Sequence, residues 1–188
     1  MALTELDPKT VLLVVDLQKG LLGAALNQPM SVVVERASAL ANAFRAQGLP
    51  VVLINVAGGA PGRVEQGRRM PDPLPEGFTD FITELGKQPS DIIITKRTWG
   101  AFASTDLEAQ LKTRGFTQVV VLGVATSSGV EATARQAYEA GFNVTLAVDA
   151  MADTRPEGHD YSLQKVFPRL GETGTAQEII DLLAQRSA

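Results

Sequence analysis

The chain of 188 residues contains no cysteine. This absence excludes disulfide bonds, thiolate metal sites and a cysteine nucleophile together. Aromatic residues make up only 5% of the chain, and there is a single histidine. One histidine cannot form a zinc site of the usual kind, in which three or four protein side chains bind the ion. We therefore expect neither a metal ion nor another cofactor.

Excess positive charge and long apolar runs are also missing. The 17 Lys and Arg residues are scattered and outnumbered by 21 Asp and Glu residues, so nucleic acid is not an expected partner. No window approaches the roughly 18 unbroken apolar residues of a membrane span, and the first ten residues lack the layout of a signal peptide. We expect a cytoplasmic protein that acts on a small molecule, without membrane or nucleic acid as a partner.

The chain is nevertheless 45% hydrophobic, which suffices for the core of one domain over residues 1–188. Short apolar runs alternate with helical periodicity, which predicts an α/β fold of the Rossmann-like, doubly wound kind. We expect a mostly parallel six-stranded sheet with helices on both faces. The predicted strands cover residues 11–16, 51–56, 91–95, 119–123, 143–148 and, with a weaker pattern, 166–170.

Capping signals and a long loop complete this prediction. Thr105 with Glu108, and Thr175 with Glu178, have the spacing of a capping box at a helix start. Residues 57–88 are crowded with glycine and proline, which predicts a long loop, and a loop of this length suggests a functional or mobile segment such as a lid. A short helix around residues 78–85 is expected to lead the chain back to the sheet.

Residues 119–138, VVVLGVATSSGVEATARQAY, have the most informative pattern. An apolar strand is interrupted by glycine and leads through a polar turn at residues 124–129 into a helix. Val130, Ala134 and Tyr138 recur at helical spacing and are expected to face the sheet. The turn combines the carboxyl end of a strand with the amino end of a helix, where free N–H groups favour an oxyanion or a carboxylate. Ligands bind at this edge of parallel sheets.

Two charged residues stand at predicted strand ends. Asp16 ends the first strand and Lys96 follows the third. A carboxylate beside an ammonium in a partly buried cleft can serve as a proton donor or acceptor near neutral pH. Each residue alone more often stabilises a turn, but both at one edge, together with the turn at Gly129, favour a catalytic pair.

Three motifs in order, VVDLQ with Asp16, TKRTWGAF with Lys96, and GVATSSGVEATARQAY, resemble the isochorismatase-like hydrolase family, also called cysteine hydrolases. The resemblance implies the doubly wound fold, a homodimer or homotetramer, and a site of Asp, Lys and Cys. Asp16 and Lys96 match the first two residues, and Gly129 occupies the position of the cysteine. The resemblance also implies a cis peptide bond at Val124–Ala125.

The missing thiol directs the functional hypothesis. Without it, the covalent route of the amide-cleaving relatives is closed. The isochorismate-hydrolysing relatives also have glycine at this position, so the resemblance implies hydrolysis of an enolpyruvyl ether, with Asp16 as the proton donor and Lys96 holding Asp16 and a substrate carboxylate. The predicted oxyanion and cis-peptide loop contains Val124, Ala125, Thr126 and Val130, with the amides of Ala125 and Val130 receiving an anionic oxygen.

Further residues are expected to support this site. The predicted substrate contacts are Trp99, Phe102, Gln66 and Ser128, although Gln66 equally fits a solvated loop side chain. Ser127 or Ser128 could replace the missing nucleophile, but helix capping is the more ordinary role for both. Asp149 and Asp153 are expected to cap turns, and His159 to lie at the surface or to support the site from behind.

Two alternative functions stay open. The letters GVATS in the turn are closer to the amide-cleaving branch of the family, so another small amide or ester could be hydrolysed by a route without cysteine. A catalytically silent relative that binds a small acid would also lack the nucleophile. Such a relative has no reason to retain Asp16, Lys96 and an aromatic loop together, which favours a working hydrolase.

Overall fold

The computed structural model describes residues 3–66 and 70–186. Its strands form one six-stranded sheet in the order β3-β2-β1-β4-β5-β6, and every neighbouring pair is parallel. The chain begins in the middle of the sheet, winds to one edge and then to the other, which confirms the doubly wound prediction. The strands are β1 (Thr10–Val15), β2 (Val51–Val56), β3 (Ile92–Lys96), β4 (Gln118–Val124), β5 (Asn143–Ala152) and β6 (Glu172–Gly174).

Helices cover both faces of the sheet, as predicted. Those of the described residues are α1 (Met30–Ala46), α2 (Leu107–Thr113), α3 (Glu131–Glu139), α4 (Pro156–Tyr161) and α5 (Ala176–Gln185). α1 and α5 bury Phe44 and Ile179 against one face, while α2 and α3 bury Leu111 and Ala134 against the other. Because both faces are covered, β1 is buried at every position, which explains its unbroken apolar sequence.

Gly123 does not interrupt β4, which continues to Val124. Its φ of +120° suits glycine, and a Cβ atom at this position would lie 2.1 Å from the backbone oxygen of Val15. Glycine therefore allows β1 and β4 to approach closely near their carboxyl ends. The strand order reverses between these two strands, and this reversal is where doubly wound sheets bind their ligands.

The predicted sixth strand at residues 166–170 is wrong. Phe167–Arg169 form a 3₁₀ turn, and the sixth strand is β6. Val166 and Phe167 are apolar because they are buried in the core beneath α3 and β5. A short buried apolar run has no periodicity that separates a strand from a helical turn.

Three local predictions also fail. Residues 78–85 contain a 3₁₀ turn only at Thr83–Leu85, and the remainder is irregular. Thr105 accepts a hydrogen bond from Leu107 N, but Glu108 pairs with Lys112 instead of closing a capping box. Tyr138 is 53% exposed and does not face the sheet.

The capping box of α5 is confirmed. The Thr175 side chain accepts from Glu178 N, and the Glu178 carboxylate accepts from Thr175 N at 2.7 Å. The hydrogen bonds that the backbone N and the hydroxyl of Thr175 donate to this carboxylate lower the pKa of Glu178. Among the described residues, no helix is long and apolar enough to cross a membrane.

Residues 57–81 have no helix and no strand beyond an isolated bridge between Phe81 and Gln18, within the described part of this segment. The end of the segment is attached to the chain that follows β1, since Gln18 Nε2 donates to Phe78 O at 2.9 Å and Ile82 N donates to Leu17 O. The predicted long loop therefore exists and returns to the sheet beside the end of β1. Its function as a lid stays a prediction.

Candidate active site

Asp16 and Lys96 meet, as predicted. Lys96 Nζ donates a hydrogen bond to Asp16 Oδ2 at 2.7 Å and a second to Thr98 O at 3.2 Å. The two residues come from β1 and β3, so the long lysine side chain crosses the carboxyl end of β2, which lies between these strands. The pair is almost inaccessible to solvent, with side-chain exposures of 1% for Lys96 and 7% for Asp16.

The backbone of Asp16 ends β1 in an unusual conformation. Its φ is 55°, in the left-handed region that residues other than glycine seldom adopt. The surrounding chain holds this conformation, because Asp16 N donates to Ile54 O at 2.8 Å and Asp16 O accepts from Gln18 N at 2.9 Å. Strain of this kind persists only where neighbouring contacts enforce it, and it is concentrated at functional sites.

The two carboxyl oxygens of Asp16 differ. Oδ2 is bound by Lys96, whereas Oδ1 is buried and has no hydrogen-bond partner among the described residues. Burial raises the pKa of Asp16 to about 6, although the charge and the hydrogen bond of Lys96 lower it. Because Lys96 occupies Oδ2, the proton of the acid form belongs on Oδ1. Asp16 can therefore hold and release a proton near neutral pH.

Gly129 faces this acid across a short gap. A Cβ atom at position 129 would lie 3.1 Å from Asp16 Oδ2, 3.3 Å from Val15 Cγ1 and 3.4 Å from Val124 O. The glycine belongs to Thr126–Val130, a wide helical turn of the π type that leads directly into α3. Position 129 is thus where a side chain would project towards the carboxyl group, and glycine places no side chain there.

Two predictions for the loop before Gly129 concern its cis peptide bond and its backbone amides. The Val124–Ala125 peptide bond is cis, as the resemblance implied. The amide of Val130 donates to Ala125 O at 3.2 Å, inside the turn. This hydrogen bond occupies the amide of Val130 in the structure, and the roles of the Val130 and Ala125 amides in receiving an anionic oxygen stay predictions.

The side chains of Asp153 and His159 hold this turn. The buried carboxylate of Asp153 accepts from Ser127 N and Ser127 Oγ, both at 2.7 Å, and from Arg155 N at 2.9 Å. Thr126 Oγ1 lies 2.8 Å from His159 Nδ1 in a buried hydrogen bond. His159 thus supports the turn, and Asp153 does more than the predicted turn capping. No sequence signal links residues 127 and 153, because only the tertiary fold brings them together.

The contacts of Ser127 bear on its predicted role as a substitute nucleophile. Its hydroxyl donates to Asp153 and accepts from Arg155 Nη2 at 3.1 Å. These partners belong to the segment that follows β5, whereas Gly129 faces Asp16. Ser127 is therefore occupied away from the Asp16–Lys96 pair, and its predicted role as a nucleophile has no support from its contacts.

The residues that were predicted to contact the substrate differ in their exposure to solvent. Phe102 is buried in the core, with its ring centroid 5.9 Å from that of Phe142. Trp99 is 66% exposed, Gln66 is exposed in the long loop, and Ser128 is half-buried. The roles of these four residues stay predictions. Among residues 3–66 and 70–186, no three acidic or histidine side chains are grouped closely enough to hold a metal ion.

Comparisons with known proteins agree with this arrangement. Residues 10–178 match the isochorismatase domain family. The uncharacterized isochorismatase family protein YecD of Escherichia coli O157:H7 is 42% identical over 186 residues, which cover 95% of this chain and 99% of that protein. Maleamate amidohydrolase of Pseudomonas putida is 28% identical over 185 residues, covering 93% of this chain and 87% of that enzyme.

A solved structure extends the similarity to three dimensions. An isochorismatase family protein from Burkholderia thailandensis has a TM-score of 0.89 and 35% identity, and the match covers 96% of this chain and 98% of that one. The family match spans nearly all of the sheet, including Asp16, Lys96 and Gly129. This chain, although it has no cysteine, belongs to the isochorismatase family of hydrolases.

Proposed function

We propose that the chain hydrolyses an enolpyruvyl ether of the isochorismate type, without a covalent intermediate. The observation that carries the proposal is the state of Asp16. It is buried, its pKa is raised by burial to about 6, and one of its carboxyl oxygens has no hydrogen-bond partner in the part of the chain that the structure describes. Hydrolysis of a vinyl ether needs a group that is still protonated near neutral pH and can donate that proton to carbon, and it needs no nucleophilic side chain.

The reaction would proceed through proton transfer to carbon. The acid form of Asp16 donates its Oδ1 proton to the terminal methylene carbon, and the electrons of the double bond form the new C–H bond. The resulting oxocarbenium carbon takes up water, which returns one proton to Asp16. The hemiketal then breaks its bond to the ring oxygen, which takes a proton, and releases pyruvate and an alcohol. Acid assistance of this kind contributes about 10²–10⁴-fold.

Lys96 would have two tasks in this scheme. It fixes Asp16 Oδ2 at 2.7 Å, which leaves Oδ1 as the oxygen that carries the proton. Its positive charge also favours the carboxylate that remains after proton transfer, and it adds attraction for the carboxylate of an enolpyruvyl group. Gly129 leaves space beside the acid where a thiol side chain would otherwise stand.

Hydrolysis of a small amide or ester is a second candidate. It is favoured by the similarity to maleamate amidohydrolase over 93% of this chain. With no thiol present, Asp16 would then act as a base that activates water, and its ionised form would be the active one. The two candidates predict opposite pH dependence, because the ether reaction requires the protonated carboxyl group.

Pyruvate release from isochorismate tests the proposal. In heavy water, we expect the methyl group of the product to contain one deuterium, since the proton is delivered to carbon. Asp16→Asn should lower the rate about 10²–10⁴-fold, while Asp91→Asn, which alters another buried carboxylate, should leave turnover intact. Turnover of amides alone would support the second candidate. Tight binding of a small acid without turnover of ethers, esters or amides would instead indicate a catalytically silent relative.

A further inference from the structure

The turn at residues 125–130 is closed by hydrogen bonds within itself, so we expect a contact at one of its residues to affect the position of the others. Ser128 N and Val130 N both donate to Ala125 O, at 3.1 Å and 3.2 Å, and close the turn on itself. At its far end, Thr133 Oγ1 donates to Gly129 O at 2.7 Å. The position of Gly129 relative to Asp16 therefore depends on what holds the turn from behind.

The strongest external contact comes from Asp153. This residue is 1% exposed, and one of its carboxyl oxygens accepts both the amide and the hydroxyl of Ser127. Two hydrogen bonds from one residue to one oxygen fix the backbone position of Ser127 and its side-chain rotamer together. A buried carboxylate is tolerated only when such donors compensate its loss of water, so the contact is strongly maintained.

Asp153 is itself held on the opposite side. Its backbone N donates to Asn27 Oδ1, and its backbone O accepts from Asn27 N, both at 2.9 Å. α4 closes the arrangement, since a Cβ atom at Gly158 would lie 2.9 Å from Ser127 Oγ. The turn is thus attached to the loop before α1 and to α4, while its Gly129 side faces the Asp16–Lys96 pair.

We propose that Asp153 is a positioning residue, which acts through Ser127 to set the distance between position 129 and Asp16. The hydrogen bond of His159 to Thr126 is the second attachment of the same turn. This proposal rests on the proposed function only where it predicts an effect on catalysis. The positioning itself concerns geometry, and it can be measured whether or not the chain turns over an ether.

The absence of cysteine makes a direct measurement possible. Gly129→Cys introduces one thiol into a chain that otherwise has none, beside the Asp16 carboxyl group and the Lys96 ammonium. The nearest contacts of the new Cβ, at 3.1–3.4 Å, are tight but do not demand a backbone shift. The pH midpoint of thiol alkylation then reports how close position 129 is to these two charges.

In the Gly129→Cys background, Asp153→Ala is expected to move this midpoint towards the value of a free cysteine, about 8.5, and to change the alkylation rate at least severalfold. Asp153→Asn, which retains one acceptor oxygen, should give an intermediate value. Ser127→Ala removes only the hydroxyl and provides a milder variant if Asp153→Ala does not fold. Leu183→Ala is the matched control, because it loosens the core beneath α5 on the other face of the sheet.

The proposal is supported if the pH midpoint of alkylation changes in the Asp153 and Ser127 variants but not in Leu183→Ala. This holds even if isochorismate is not a substrate. An unchanged midpoint in folded Asp153 variants overturns it, even if the wild-type chain releases pyruvate. An equal change in the Leu183→Ala control also overturns it, since general loosening would then account for the effect. The proposed function and the positioning role can therefore fail independently.

Discussion

Two carboxylates in this molecule face a cation at the same distance and have different surroundings. Asp16 pairs with Lys96 at the carboxyl edge of the sheet, and Asp91 pairs with Arg45 at the amino edge, each at 2.7 Å. Arg45 binds both oxygens of Asp91 through Nε and Nη2, and Gln88 N adds a third donor. Lys96 binds only one oxygen of Asp16, and the other has no partner among the described residues.

This difference separates a structural ion pair from a candidate reactive one. The fork of an arginine satisfies a carboxylate at both oxygens, and it joins the end of α1 to the start of β3. A lysine supplies a point charge that leaves the second oxygen free. The distance between the charges is equal, so the oxygen without a partner among the described residues distinguishes Asp16 from Asp91.

The largest expected effect is that of Asp16→Asn. The amide keeps the shape of the side chain but cannot deliver a proton, so the rate of ether hydrolysis should fall about 10²–10⁴-fold. Initial rates of pyruvate release at saturating isochorismate measure this loss. A variant that retains wild-type kcat would show that Asp16 resembles Asp91 in having no part in the reaction.

Lys96→Met should have the next largest effect. The lysine orients Asp16, and loss of that orientation should lower kcat by about 10²-fold. Because the charge of Lys96 lowers the pKa of Asp16, its removal should raise that pKa further, so that the protonated form persists to higher pH. Carbon-detected NMR titration of the Asp16 carboxyl group measures this directly. A pKa that falls in the variant would contradict the assigned role of the lysine.

Asp91→Asn should affect stability and leave chemistry unchanged. Loss of the charge-assisted hydrogen bonds to Arg45 should lower the free energy of unfolding by about 1–3 kcal/mol. Urea denaturation measures this change, and kcat should stay within about twofold of the wild type because the pair lies away from the candidate site. A large loss of kcat in a fully folded sample would remove the distinction between the two pairs.

The smallest expected effect is a gain of hydrolytic activity in the Gly129→Cys variant. A thiol beside Asp16, which Lys96 contacts, could attack a small amide or ester, and we expect weak turnover or a retained adduct. Intact-protein mass spectrometry after incubation with a panel of amides detects the adduct. Its absence with every compound, in a folded variant, would count against an amide-type pocket.

The sequence predicted those structural features that depend on short local patterns or on charged residues at strand ends. The order of buried strands, the capping box at Thr175 and the meeting of Asp16 with Lys96 follow from short patterns and from parallel topology. The contact of Phe102 with Phe142 could not be predicted, because an aromatic residue in a loop has the same sequence signature whether it lines a pocket or fills a core.

Other long-range polar contacts could not be predicted from local sequence patterns. The contact of Asp153 with Ser127 joins the ends of β4 and β5, and nothing in either segment specifies the other. The unpartnered oxygen of Asp16 could not be predicted either, because satisfaction of a hydrogen bond depends on every neighbour in the folded chain. Sequence patterns identify the charged pair. Only the folded structure shows which carboxyl oxygen of Asp16 has no hydrogen-bond partner among the described residues.

The pH dependence of pyruvate release from isochorismate tests the central claim most directly. If Asp16 supplies the proton, kcat should be high below a pH of about 6 and should fall as the pH rises through this value, because the carboxyl group then loses its proton. The Asp16→Asn variant should show no such transition. Absence of pyruvate release by the folded wild-type protein, or a rate that increases through this pH, would contradict the account.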